Sequence, residues 1–156
     1  MLRERVGQGM IAGLVAAAAT MGVLVGFGHG RGAPSRVLNT VAHAVLGYRA
    51  EITDAFDPAV TLTAVAVHVA ALLIWGILFA LVAGRLRGVP LFGAAVVVAA
   101  AAYFVDFHLV PARLTPGFET VLTISELIAV YAVLAAGLTL GAAIGRPADQ
   151  RPGRVA

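Results

Sequence analysis

Long uncharged runs of apolar residues alternate with short polar stretches along this chain, and the runs set the reading. The first covers residues 6–28 and is interrupted only by Gln8 and Thr20. The second, 59–84, has His68 as its one ionisable group; the third, 88–105, has none; the fourth, 120–145, has a single charge, Glu126. A bilayer core about 30 Å thick is crossed by about 20 helical residues. A helix also satisfies its own backbone groups, which lipid cannot do. The pattern predicts an all-α polytopic membrane protein, a four-transmembrane-helix bundle forming one domain over 1–145, with spans near 6–28, 59–84, 88–108 and 117–145. Arg3 and Arg5 ahead of the first run resemble the start of a signal peptide. Its apolar part, however, exceeds the roughly 7–15 residues of such a segment, so it is expected to stay as a span.

The connecting segments carry their own pattern. In the loop between spans one and two, Val37, Leu38, Val41, Val45 and Leu46 fall on one helical face and Arg36, Asn39, Thr40 and His43 on the other, behind Pro34 and a capping Ser35. This predicts a short amphipathic interfacial helix over 35–48, near Tyr48 on the outer face; a lid folded over the bundle's outer end is the alternative. Glu51, Asp54 and Asp57 follow as a connector, and Pro58 opens span two. Ahead of span four, Thr115 is placed to cap a helix with Pro116 at its first position. The end segment 146–156, with Pro147, Pro152 and Gly153, reads as a disordered cytoplasmic tail.

Orientation follows from the arginines. Arg3, Arg5, Arg85, Arg87, Arg146, Arg151 and Arg154 fall on one side of the four spans, and Arg31, Arg36, Arg49 and Arg113 on the other. Seven against four places both termini in the cytoplasm. All eleven basic residues are Arg, and 60% of the chain is hydrophobic with Ala, Gly and Val prominent, which points to a GC-rich bacterium and its plasma (inner) membrane. Only 12% of residues are charged, against about 25% in a soluble domain, so no separate soluble domain is expected. With no cysteine, disulfides, thiol redox chemistry and cysteine metal sites are excluded. The net charge of +3 sits at span ends and not in a basic run interleaved with aromatics, so nucleic acid is not an expected partner. The expected partners are the lipid bilayer, other membrane proteins or a second copy.

Small residues four apart let helices approach closely where lipid supplies no hydrophobic drive. Span one has Gly9 with Gly13 and Gly22 with Gly26; span two has Gly76, Ala80 and Gly84; span four has Gly137, Gly141 and Gly145. The last seam is expected to pack within the chain. Trp75, mid-span, is expected inside the bundle, since interfacial Trp would lie at an end.

The candidate chemistry gathers toward the outer half. Glu126 shares a helical stripe with Glu119 and Thr123 above the glycine seam, about 10 Å in from Glu119. An acid at that depth faces protein or water and has a partner. The candidates for ligand or proton binding are Glu126, His68, Asp106, Tyr103, Glu119 and Arg113, with Arg113 able to pair with Asp106 or Glu119. His68 and Glu126 are expected within one water-bridged contact of each other. Three readings stay open. One is a binding or accessory protein whose polar cluster fixes helix register. Another is a proton-coupled or small-molecule transporter using Glu126 and His68. The third is a metal-dependent membrane enzyme with His68, Glu126 and His108 as ligands to a divalent metal. No HExxH, nucleophile elbow or phosphate loop is present, so no cofactor is expected and the enzyme reading is the weakest.

The run 13–22, the segment Ala42-His43-Ala44-Val45-Leu46-Gly47, His68 with Trp75-Gly76-Ile77, and above all 106–119, from Asp106-Phe107-His108 to Gly117-Phe118-Glu119, resemble small four-helix bacterial inner-membrane proteins. That resemblance implies the architecture and no activity. Small multidrug transporters are similar in size, but their essential Glu lies in the first helix, where this chain has no acid within the apolar run.

Overall fold

The computed structural model describes residues 2–146. The segment expected as a disordered tail lies outside them, apart from Arg146. Seven α-helices follow in order: α1 (Leu2–Gly30), α2 (Arg36–Asn39), α3 (His43–Leu46), α4 (Tyr48–Glu51), α5 (Pro58–Ala83), α6 (Gly88–Phe104) and α7 (Ile124–Ile144). There is no strand among the described residues. Four helices are long and apolar enough to cross a membrane: α1, α5, α7, and α6 with its continuation to Leu109. Large apolar side chains such as Leu14, Ile74, Val97 and Ile128 point outward from each of them.

Helix α1 is the centre of the bundle. It packs along α5 on one side and α7 on the other, and α6 lies beside α7. The reason is close approach. A Cβ at Gly13 would lie 2.5 Å from the Leu72 carbonyl oxygen, and one at Gly9 2.6 Å from Ile77 Cα. On the other face, a Cβ at Gly137 would lie 2.6 Å from Ala16 Cα, and one at Gly141 2.5 Å from Ala12 Cα. So the seam of α7 packs within the chain, as its spacing suggested. The second pair expected in α1 does not pack: nothing lies within 4 Å of a Cβ at Gly22 or Gly26. Sequence spacing marks both pairs alike, and only helix rotation decides which one meets a neighbour.

The core has two parts. One is an Ala-rich set around Ala12, Ala16, Phe79, Ala95, Ala99 and Leu138. The other, around Leu24, Val60 and Val130, takes in loop residues: Val37, Leu38, Val41 and Phe118. The segment expected as one amphipathic helix over 35–48 is instead broken into α2, a 3₁₀ turn (Thr40–Ala42) and α3. Its apolar face is buried at Val37, Leu38 and Val41, but Asn39 and Thr40 on the polar face are fully buried too, while Val45 is 64% exposed. The segment is tucked over the bundle end and held there by side-chain hydrogen bonds, which a simple two-face pattern does not encode. Ser35 precedes α2 without a side-chain capping bond.

Helix starts show the same interplay of local and distant terms. Asp57 caps α5, accepting from the N–H groups of Ala59 (2.8 Å) and Val60 (3.2 Å), with Pro58 at the first helical position. Span four begins seven residues later than expected, at Ile124 rather than 117. Gly117 adopts φ +83, which ends any helix there, and it lies under the Thr40 carbonyl where a side chain has no room. A 3₁₀ turn (Phe118–Thr120) follows, and Thr123 caps α7 in place of Thr115. At the end of α6 the chain widens into a π turn (Val105–Leu109), with the Val110 N–H donating to the Val105 carbonyl.

Candidate functional site

The late start of α7 redraws the polar cluster. Glu126 is the third residue of α7 and closes a capping box: its carboxylate accepts from the Thr123 N–H (2.8 Å) and the Glu126 N–H donates to Thr123 Oγ1 (3.4 Å). The Arg31 guanidinium meets both carboxylate oxygens at 2.8 and 2.7 Å and also donates to the Phe27 carbonyl. Glu126 therefore lies at a helix end, joined to the end of α1, and not a turn or two deep in the bundle. The spacing Thr123-x-x-Glu126 before an apolar run is the sequence signature of such a start. Thr115-Pro116 carries a competing start signal earlier in the same segment.

His68 is buried in α5, 5% exposed, and its Nε2 lies 2.8 Å from Thr20 Oγ1 in α1. The Thr20 hydroxyl donates to the Ala16 carbonyl one turn back at 2.8 Å, and the His68 ring also meets the Ala17 carbonyl. The pair ties α5 to the backbone of α1 inside the bundle. Thr20 was one of only two polar interruptions in its run, and it is the partner His68 uses in place of Glu126.

Asp106 lies half-buried in the π turn and accepts from the Tyr131 hydroxyl at 2.7 Å. Tyr131 in turn packs edge-on against Tyr103 (centroids 5.3 Å apart) and Phe107 (6.1 Å). His68 and Asp106 line the same cavity of about 120 Å³. Its walls are Thr20 from α1, His68, Leu72 and Trp75 from α5, Ala102 from α6, and Val130, Tyr131 and Leu134 from α7. Val41, Ala44, Thr115, Pro116 and Phe118 roof it. The cavity brings together chain positions that no local pattern relates.

The other candidates fall around it. Glu119, in the 3₁₀ turn, is close enough to act electrostatically on Asp106 and Tyr131, and its Oε2 is buried with no hydrogen-bond partner. Tyr103 lines an apolar groove between α6 and α7, together with Phe92 and Ile128, and touches the site through Tyr131. Arg113 is exposed and makes no ion pair with Asp106 or Glu119 among the described residues. His108 is exposed and packs against Phe104 (5.2 Å) and Tyr103 (6.0 Å). Among the described residues no three His, Cys, Asp or Glu side chains gather as a metal-ligand set, so His68, Glu126 and His108 do not form the centre their types suggested. Their helices present them at different places: one inside the bundle, one at a capping box and one on the outer face of the π turn.

Asn39 and His43 hold the roof in place. Asn39 is fully buried; its amide donates to the carbonyls of Thr53 (2.8 Å) and Ala55 (3.0 Å), and its oxygen accepts from the Thr61 hydroxyl (2.8 Å). His43 donates from Nε2 to the Thr115 carbonyl at 2.7 Å, linking the two roof segments, while its Nδ1 lies 3.4 Å from Glu51 Oε1. Further out, Arg49 reaches Asp57 at 2.9 Å and Arg36 reaches Asp54 at 2.6 Å. The Arg49 guanidinium, with the Val60 and Ala59 N–H groups, holds the Asp57 carboxyl below its ordinary range. Comparison with known protein families, curated proteins and solved structures finds no match to this chain.

Proposed function

We propose that this protein is a four-span bacterial plasma-membrane protein, with both termini in the cytoplasm, that binds a small molecule in the His68–Asp106 cavity without transforming it. The outward apolar side chains of the four long helices support insertion, because Leu, Ile and Val side chains are favourably placed in the hydrocarbon core. The arginine distribution supports the orientation. The tucked segment between α1 and α5 then roofs the cavity from the outer side.

The observation that carries the reading is the cavity itself: a mostly apolar space with a few polar groups converging on it. A transporter routed through Glu126 has less support, because Arg31 and Thr123 together occupy that carboxylate. The chain has one Trp, and it lines the cavity, so its fluorescence reports occupancy. Isobutanol titrated into the protein in nanodiscs is expected to change Trp75 emission saturably, and Ala102→Leu, which fills the cavity wall, is expected to abolish the change. A non-saturating response, or one unaffected by Ala102→Leu, refutes the binding reading. For topology, the cysteine-free chain accepts single reporters: Ser35→Cys should react with an impermeant maleimide on intact cells and Arg85→Cys should not. The reverse pattern overturns the orientation.

A further inference from the structure

Ion pairing at the roofed end of the bundle is uneven. Arg31 takes Glu126, Arg36 takes Asp54, Arg49 takes Asp57, and His43 faces Glu51. Asp106 and Glu119 are left with no basic partner among the described residues. Asp106 lines the cavity, and Glu119 is close enough to act on Asp106 electrostatically, with an oxygen that is buried and receives no hydrogen bond. Two polar side chains of the wall are already engaged within the protein. Tyr131 gives its hydroxyl proton to Asp106, and His68 Nε2 shares a hydrogen bond with the Thr20 hydroxyl. What remains for a ligand is acceptor atoms, negative charge and the aromatic surfaces of Trp75 and Tyr131.

From this we infer that the cavity takes a small protonated alkylamine, a reading that rests on the cavity being a binding site. An ammonium group brings the positive charge that the wall lacks and donors for the Asp106 carboxyl, and aromatic faces favour a cation. An anion would meet the Asp106 carboxyl, with Glu119 close behind it. Size narrows the class further. A 150 Å³ apolar cavity accommodates benzene, so about 120 Å³ accommodates a branched chain of about five or six heavy atoms. Isobutylammonium has that size, and it is fully protonated at neutral pH because alkylamines titrate near 10.4.

The test uses the full chain in nanodiscs and Trp75 emission, with isobutylammonium chloride, isobutanol and potassium chloride titrated separately at matched ionic strength. The amine is expected to bind about tenfold more tightly than isobutanol, and potassium chloride to give no response. Asp106→Asn should remove the preference for the amine and leave isobutanol binding intact. Glu119→Gln should weaken the preference about threefold, and it decides the matter if the Asp106 variant does not fold. Equal affinities for amine and alcohol, or a preference unchanged by these substitutions, overturn the cation assignment while the cavity stands as a neutral site. Absence of binding by either solute overturns the cavity reading as well. An equal response to potassium chloride assigns the site to an inorganic cation and overturns the amine.

Discussion

The substitution Gly76→Ala tests the packing that places His68 against Thr20. A Cβ at Gly76 would lie 2.5 Å from Gly13 N and 2.6 Å from Gly13 Cα, and closer still to the Gly9 carbonyl. Carbon contacts settle at about 3.5–4.0 Å, so α1 and α5 must part by about 1 Å. The obstacles are backbone atoms, which no rotamer change can move. One excess methylene in a packed core costs about 1–3 kcal/mol, and the gain in helix propensity returns up to about 1 kcal/mol. A net loss of about 1–2 kcal/mol follows. The matched control is Gly22→Ala on α1, where nothing lies within 4 Å. It carries the propensity gain alone and is expected to be neutral or stabilising by up to about 1 kcal/mol. Reversible unfolding in mixed micelles, followed by helicity and Trp75 emission, measures both. Gly76→Ala as stable as the parent would refute the close α1–α5 contact. A loss at Gly22 equal to that at Gly76 would refute the assignment of that face as open.

Two further outcomes follow from the roof. Asn39→Ala removes the buried bond from the Thr61 hydroxyl and the part-buried bonds to the Thr53 and Ala55 carbonyls; at about 1 kcal/mol for each lost bond, a loss of about 2–3 kcal/mol is expected, read as faster hydrogen exchange and proteolysis over residues 36–57, and unchanged protection there would contradict it. The Asp57 carboxyl is held below its ordinary range when folded, so its contribution is present above the unfolded carboxyl pKa, near 3.9, and is lost as pH falls through the lower folded value. Asp57→Asn should therefore flatten the acid limb of the stability profile below about pH 4, and an unaltered acid limb would show that the Arg49 and backbone bonds do not form.

What the chain decides locally was legible in it. Uninterrupted apolar runs long enough to span lipid become helices because a helix needs no outside partner for its backbone. A Pro after an Asp starts α5 because both effects act within one turn. The seam of α7 was readable because three glycines, Gly137, Gly141 and Gly145, recur at one spacing on one face. Everything that depends on helix rotation or on distant partners was decided by the tertiary structure. Gly22 and Gly26 have the same spacing as Gly9 and Gly13, yet they face outward. Glu126 meets Arg31, which lies 95 positions earlier, and so becomes an end-capping group instead of a buried acid. His68 pairs with Thr20 and shares a cavity with Asp106, three helices' worth of sequence brought to one level. A sequence fixes which face of a helix is small or polar. Which neighbour that face meets depends on how all four helices pack at once, and a local pattern contains no information about that.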